Sequence, residues 1–484
     1  MLPDLPSLVP STRRRRTLFV YLAMSLAAVA IFFAIRTRGE SLSAPVAAVG
    51  GGQRDGAHTA ELAHVLLALA VITLLARAVG VFVHRFLRQP PVIGEIIAGL
   101  MLGPSLLGWV WPQGYEFLLP DNVAPFLGII SKVGVVLFMF LVGLELDPKL
   151  LRGSAHSTIA VSHASIFAPL LLGAALALWL YPVYATGDVS FTSFSLFLGV
   201  SLSVTAFPVL ARILRDRRAQ RTRLGVTALA CAAVDDVSAW TLLAIVAGIA
   251  TAQMSGAAWT VLWVVVYVLA MLFVVRPLLT RWFVAREQSR EGPLSHSALA
   301  IVFASLLLSA VATEAIGIHA LFGAFLLGAI LPHEGRLPEQ IRAKLEDVVL
   351  VLFLPSFFAF TGMRTSIDLL SGARDWLFCA AIIVVATLGK FGGSFVAARA
   401  VGMSWRHSAA LGIMMNTRGL MELIVLNLGL DLGVITPTVF TMMVFMALVT
   451  TFMTTPLLDL LLGRSGFADP VSSNSGASAP GEIS

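Results

Sequence analysis

The sequence predicts an all-α polytopic membrane protein, and three observations carry that prediction. Hydrophobic residues fill 58% of the 484 positions and charged residues only 12%, where soluble domains average about 25% charged. Mean hydropathy is +0.89. The apolar residues are gathered into fourteen runs long enough, at about 20 residues each, to cross a bilayer as helices. Without water to satisfy backbone groups, helices or closed barrels are the structures that can span lipid. These features exclude a soluble enzyme, a disordered protein and a collagen-like fibre.

Taken in order, the runs lie near 17–35, 60–83, 91–110, 124–144, 154–180, 191–214, 222–250, 257–283, 294–314, 317–332, 343–362, 375–398, 406–429 and 434–462. The run at 317–332 is short for a span and reads as tilted, broken or incomplete. The first run follows Arg13, Arg14, Arg15 and Arg16. It is an extra helix or a signal peptide, and its length exceeds the usual hydrophobic region of about 7–15 residues, which favours a retained anchor. The chain then divides into three parts. Residues 1–58 hold a cytoplasmic segment, the extra helix and an external Gly/Ala/Ser-rich linker. Residues 59–463 form the membrane domain, and 464–484 form a disordered cytoplasmic tail. Neither end leaves room for a fused regulatory nucleotide-binding domain.

The net charge of +6 would suggest nucleic acid in a soluble protein. Here the basic residues cluster in short loops between spans, so the expected partner is the lipid bilayer and no nucleic acid. Alternating the spans from a cytoplasmic N-terminus puts 23 of the 33 Lys and Arg residues on the cytoplasmic side and five outside. That asymmetry follows the positive-inside rule. It predicts a multi-pass protein of the cell membrane, with both termini in the cytoplasm if the first run is retained. The two cysteines, Cys231 and Cys379, lie in apolar runs as small hydrophobes. They cannot build a zinc site or a disulfide framework, and no cofactor is expected.

The informative residues are those a membrane should exclude, since a charge at the bilayer centre costs about 2.5–3.5 kcal/mol on insertion scales. Asp235 and Asp236 fall about 20 Å into their span at 1.5 Å per residue. Neighbours on a helix lie about 100° apart, so one faces a substrate cavity while the other faces a neighbouring helix. Lys390 is placed to reach the depth of Asp235 and partner it. Two spans are also interrupted. One carries Ser203, Thr205 and Pro208, and proline frees local carbonyls. The other carries Asn416, Thr417, Arg418, Gly419 and Glu422. Broken helices at membrane depth occur where they line a cavity. With the first run set aside, the breaks fall in the fifth and twelfth spans, which therefore run in opposite directions. That is the inverted-repeat pattern of secondary transporters, whose discontinuous helices meet at the midplane and hold ions.

Several stretches together resemble one family. They are Gln89-Pro90-Pro91-Val92-Ile93-Gly94-Glu95 through Gly103-Pro104-Ser105-Leu106-Leu107-Gly108, Leu137 through Gly143-Leu144-Glu145-Leu146-Asp147-Pro148, and Thr205-Ala206-Phe207-Pro208-Val209-Leu210-Ala211-Arg212. Asp235-Asp236, Gly317-Ile318-His319 through Gly323-Ala324-Phe325, and Asn416-Thr417-Arg418-Gly419-Leu420-Met421-Glu422-Leu423 complete the set. The chain resembles the monovalent cation:proton antiporter-2 family of bacterial sodium/proton and Kef-type potassium/proton exchangers and their plant relatives. The resemblance implies a 13-helix inverted-repeat fold with two crossing broken helices, to which the first run would be an addition. It also implies a homodimer. Asp236 matches the acid that takes the transported Na+ or K+ and the proton, Asp235 the acid that pairs with the lysine, and Lys390 that lysine. An Asp-Asp pair is the form linked to charge-moving exchange. No fused nucleotide-binding domain like that of gated Kef systems is expected.

The expected activity is exchange of Na+ or K+ for protons by alternating access. Asp236 is occupied in turn by proton and cation, with Thr205 and the carbonyls from Ser203 to Phe207 completing an oxygen shell. Lys390 releases a second proton, and Arg418 offsets helix-dipole charge at the crossing. Pro208, Asn416, Thr417, Gly419 and Glu422 support it. The alternatives are a Kef-type potassium efflux channel or transporter and a sodium-coupled organic anion symporter on a similar fold. An intramembrane aspartyl protease is excluded, because adjacent aspartates cannot face each other across an active site. Glu95 and Glu145 read as helix-packing anchors, His319 as structural, and His333 as a candidate cytoplasmic pH sensor.

Overall fold

The computed structural model describes residues 57–463 apart from 121, 146–155, 187–188, 218, 221, 252–256, 287–293 and 333–336. The run at 17–35, the tail at 464–484, Asp147-Pro148 and His333 lie outside the described residues. The chain divides into two units after Ala60, and the helices that matter for function belong to the second, Glu61–Ser484.

The second unit is helical, as its composition requires. Nine helices among the described residues are long and apolar enough to cross a membrane, and a pair bent by 43° raises the number to ten. The figure of 13 helices rests on the resemblance. One order of lengths occurs twice. Leu62–Leu87 is long, Pro91–Leu102 short, Ala124–Glu145 and Ala160–Tyr184 long, Phe191–Ser201 with Phe207–Asp216 broken, and Arg223–Gly248 long. After Leu262–Phe283, the series resumes. His296–Ile316 is long, Ala320–Ile330 short, Leu337–Leu369 and Ala373–Ala400 long, Trp405–Met415 with Leu420–Asp431 broken, and Pro437–Leu462 long. The short run read at 317–332 is thus an 11-residue helix, Ala320–Ile330.

Helix starts follow local chemistry. The side chains of Ser190, Ser295, Ser404 and Thr436 each accept a hydrogen bond from the backbone N–H three residues on, which satisfies a donor left free in the first turn. Burial then sorts the helices. Every residue from Leu420 to Gly429 is buried, so the second broken helix runs through the interior. Leu262–Phe283 is the reverse, with only 11% of its most apolar window buried. An apolar helix that does not pack on protein has lipid as its natural surroundings.

One expectation needs correction. Pro208 does not cause the first break. The helix ends at Ser201, residues 202–206 are not helical, and Pro208 stands in the first turn of the helix Phe207–Asp216. Its fixed φ and missing N–H suit that position, so it starts the second half rather than disrupting the first.

Candidate ion-binding site

The two aspartates sit side by side on the helix Arg223–Thr251 and are both fully buried, but they have opposite surroundings. Asp235 is saturated with donors. Its Oδ1 accepts from the Ser162 hydroxyl at 2.5 Å. Its Oδ2 accepts from Ser165 at 2.5 Å, Thr205 at 2.9 Å and the Lys390 ammonium at 2.7 Å. Asp236 has no hydrogen-bond partner on either carboxylate oxygen. A 100° turn of helix separates the two environments, as the adjacency of the residues demands.

Lys390 reaches its partner from within the lysine helix Ala373–Ala400. It is buried rather than extended toward a membrane surface. It stands in a π-helical turn, Leu388–Gly392, a distortion that is frequent at functional positions. The preceding residue lets this turn approach the serine helix His156–Tyr184 closely. A Cβ on Gly389 would lie 2.6 Å from the Pro169 Cα, too close for any side chain.

The two breaks cross beside this pair. The Ala206 N–H donates to the Thr417 carbonyl at 2.9 Å, and the Thr205 hydroxyl lies 3.2 Å from the Met415 carbonyl as well as on Asp235. Arg418, fully buried, closes the end of the first half-helix. Its guanidinium donates to the Ser201 carbonyl at 3.1 Å and the Leu202 carbonyl at 2.5 Å, and to Glu422 at 2.9 Å. A fixed cation at a helix C-terminus opposes the negative end of the dipole and satisfies free carbonyls. The chain bends by 43° across the second break, at Gly419, whose φ of 135° and ψ of −126° belong to a region only glycine occupies readily.

Most of the residues picked from the sequence are therefore brought together: Asp235, Asp236, Thr205, Lys390, Thr417, Arg418, Gly419 and Glu422. Asn416 lies at the same break, buried, with its side-chain oxygen unpartnered. The hydrogen bonds of the Ser203 hydroxyl go elsewhere, to the Gly199 carbonyl at 2.7 Å and the Ile166 carbonyl at 2.9 Å. Its role at the break is to satisfy carbonyls. Glu145 pairs with Arg342 at 3.0 Å and so joins two helices. His319 has φ of 71° and caps the helix Ala320–Ile330 through Nδ1, a structural task. Ser162 and Ser165 escaped the sequence reading. The available signal was two serines three residues apart in an apolar span, on one helix face.

A polytopic helical protein in which two broken helices cross beside buried carboxylates is a secondary transporter by architecture. The family described as sodium/hydrogen exchanger, transmembrane, matches residues 69–462, and the chain belongs to that family, whose members are transporters and not enzymes. It is 45% identical to the Na(+)/H(+) antiporter NhaS4 of Synechocystis sp., over 82% of this chain and 97% of that protein. Cation/H(+) antiporter 17 of Arabidopsis thaliana is 39% identical over 87% of this chain and 51% of that protein. The K(+)/H(+) antiporter 1 of Saccharomyces cerevisiae is 33% identical over 78% and 44%, so the chain spans about half the length of these two. Among solved structures, the sodium proton antiporter MjNhaP1 of Methanocaldococcus jannaschii shares the fold at a TM-score of 0.61. The alignment covers 85% of this chain and all of that one at 13% identity.

Proposed function

We propose that the protein exchanges a monovalent cation, Na+ or K+, for protons across the cell membrane. The unequal treatment of the two aspartates is the observation that carries this reading. Asp235 has four donors, and Asp236 has none although it is fully buried. A buried charge must be compensated. At Asp236 the compensation can come from a proton or from a cation, and one carboxylate cannot hold both. Exchange follows from that competition. Oxygen ligands from the neighbouring break suit a hard monovalent cation, which is substrate here and not a resident cofactor. The names of the relatives, which include sodium, potassium and unspecified cation antiporters, support the substrate class.

The finer features of the proposal rest on the chain's own pattern. The Arg-rich loops face the cytoplasm, as their number implies. Alternating access comes from movement of the helices bearing the site against the others. The Asp235–Lys390 pair makes transport electrogenic, with Lys390 contributing a second proton. The protein works as a homodimer.

The test is transport in proteoliposomes. A preset pH gradient should collapse when Na+ or K+ is added to the native protein, with Li+ measured alongside. Asp236→Asn should abolish the cation-dependent collapse. Undiminished exchange by that variant would overturn the assignment.

A further inference from the structure

We propose that Ser162 and Ser165 are positioning residues that hold Asp235 for Lys390 and let the lysine release its proton during the cycle. The inference rests on the reading of Asp236 as the exchange site and deepens it.

Both serines are fully buried on the helix His156–Tyr184, three residues apart and so on one face. A serine within a helix ordinarily bonds back to its own backbone. Ser165 does lie 2.9 Å from the Ser162 carbonyl of its own helix, but both hydroxyls reach across to the helix Arg223–Thr251, and each donates to a different oxygen of the same carboxylate at the shorter distance of 2.5 Å. Ser165 also lies 3.5 Å from the Lys390 ammonium, so it touches both members of the ion pair. With Thr205 and Lys390 the carboxylate has four donors, one on Oδ1 and three on Oδ2.

Two consequences follow. Asp235 is already compensated by protein donors, and the carboxylate without any, Asp236, is left for an arriving cation. The charge on Asp235 is also compensated by three hydroxyl dipoles as well as by the ammonium. Hydrogen bonds of this kind are strong in a low-dielectric interior. When Lys390 passes its proton to water, Asp235 therefore keeps three of its four donors and no uncompensated charge is stranded. Remove the serines, and the ammonium becomes the main support of Asp235, so the lysine keeps its proton. Serines that served only to glue helices together would affect stability and leave the proton count alone.

The experiment measures protons released per cation bound. Purified protein in detergent, weakly buffered with a pH-indicator dye, is titrated with NaCl and with KCl. The native protein should release about two protons per cation, one from Asp236 and one from Lys390. The double variant Ser162→Ala/Ser165→Ala should release about half as many. Ser165→Thr keeps a hydroxyl and should retain the native value. If the double variant does not fold, Ser162→Ala alone should fall below the native value. A native count of one, or an unchanged count in the alanine variants, overturns the role of the serines. Native-like release that survives Asp236→Asn overturns the reading of Asp236 instead, and no release from the native protein overturns both.

Discussion

At the scale of single residues, cost made the site readable. Asp235, Asp236, Lys390 and Arg418 stand out because charge in a membrane interior is expensive and is kept only where something compensates it. Ser162 and Ser165 did not stand out, because a hydroxyl in a helix is cheap, common and able to satisfy itself. Only the fold shows which carboxylate those two hydroxyls serve. The same economics give a prediction for Arg418, which is buried with Glu422 and two helix-end carbonyls as its partners. Removing one member of a buried pair strands the other, at about 3–5 kcal/mol. Arg418→Ala should lose that much stability in thermal or denaturant unfolding in detergent. Arg418→Lys should recover only part of it, since a single ammonium cannot reproduce the fork that reaches Ser201, Leu202 and Glu422.

At the scale of elements, the spans were legible from hydropathy, and both interruptions were legible from their polar residues. The position of the first break was not. Pro208 drew attention to itself, yet the helix stops at Ser201, where its last carbonyls turn to Arg418 some 217 residues away in sequence. No local pattern encodes that contact. The second break has a local cause that the sequence did display, in Gly419. Its backbone angles would strain any other residue by about 1–3 kcal/mol. A Cβ there would also meet Val209 at 3.4 Å, an ordinary contact, so the penalty of Gly419→Ala should be conformational. The variant should unfold at lower temperature than the native protein, while Gly433→Ala, at a positive φ of 67° remote from the crossing, should leave the cation response intact.

At the scale of the whole molecule, the site draws on the serine helix, the first broken helix, the aspartate helix, the lysine helix, the second broken helix and Pro437–Leu462. None of its hydrogen bonds comes from Ala124–Glu145 or Leu354–Met363. Yet Asp431, at the end of the second broken helix, is paired with Lys132 of the former at 3.1 Å and with Arg364, just beyond the latter, at 2.6 Å. Asn427 adds bonds to Arg364 at 3.0 Å and Thr361 at 2.8 Å. The Asp431 ion pairs and the Asn427 bonds together tie the site helices to Ala124–Glu145 and Leu354–Met363. They line a small cavity with Ser131 and His319. If the two sets shift during transport, this tie must break. Asp431→Asn should then speed labelling of a Ser131→Cys reporter by a membrane-impermeant maleimide several-fold, and an unchanged rate would count against the tie as a barrier. The repeated order of helix lengths around these parts was only half visible in the sequence. The paired breaks could be read, but the matching short helices Pro91–Leu102 and Ala320–Ile330 emerged once their ends were fixed by packing. The contact of Gly389 with Pro169 has a mechanical result. With no gap even for a methyl group, the backbone that anchors Lys390 and the backbone that presents the two serines are locked face to face. A displacement of the lysine turn alone would have to break this contact, so the two backbones are expected to move together when the site's exposure alternates.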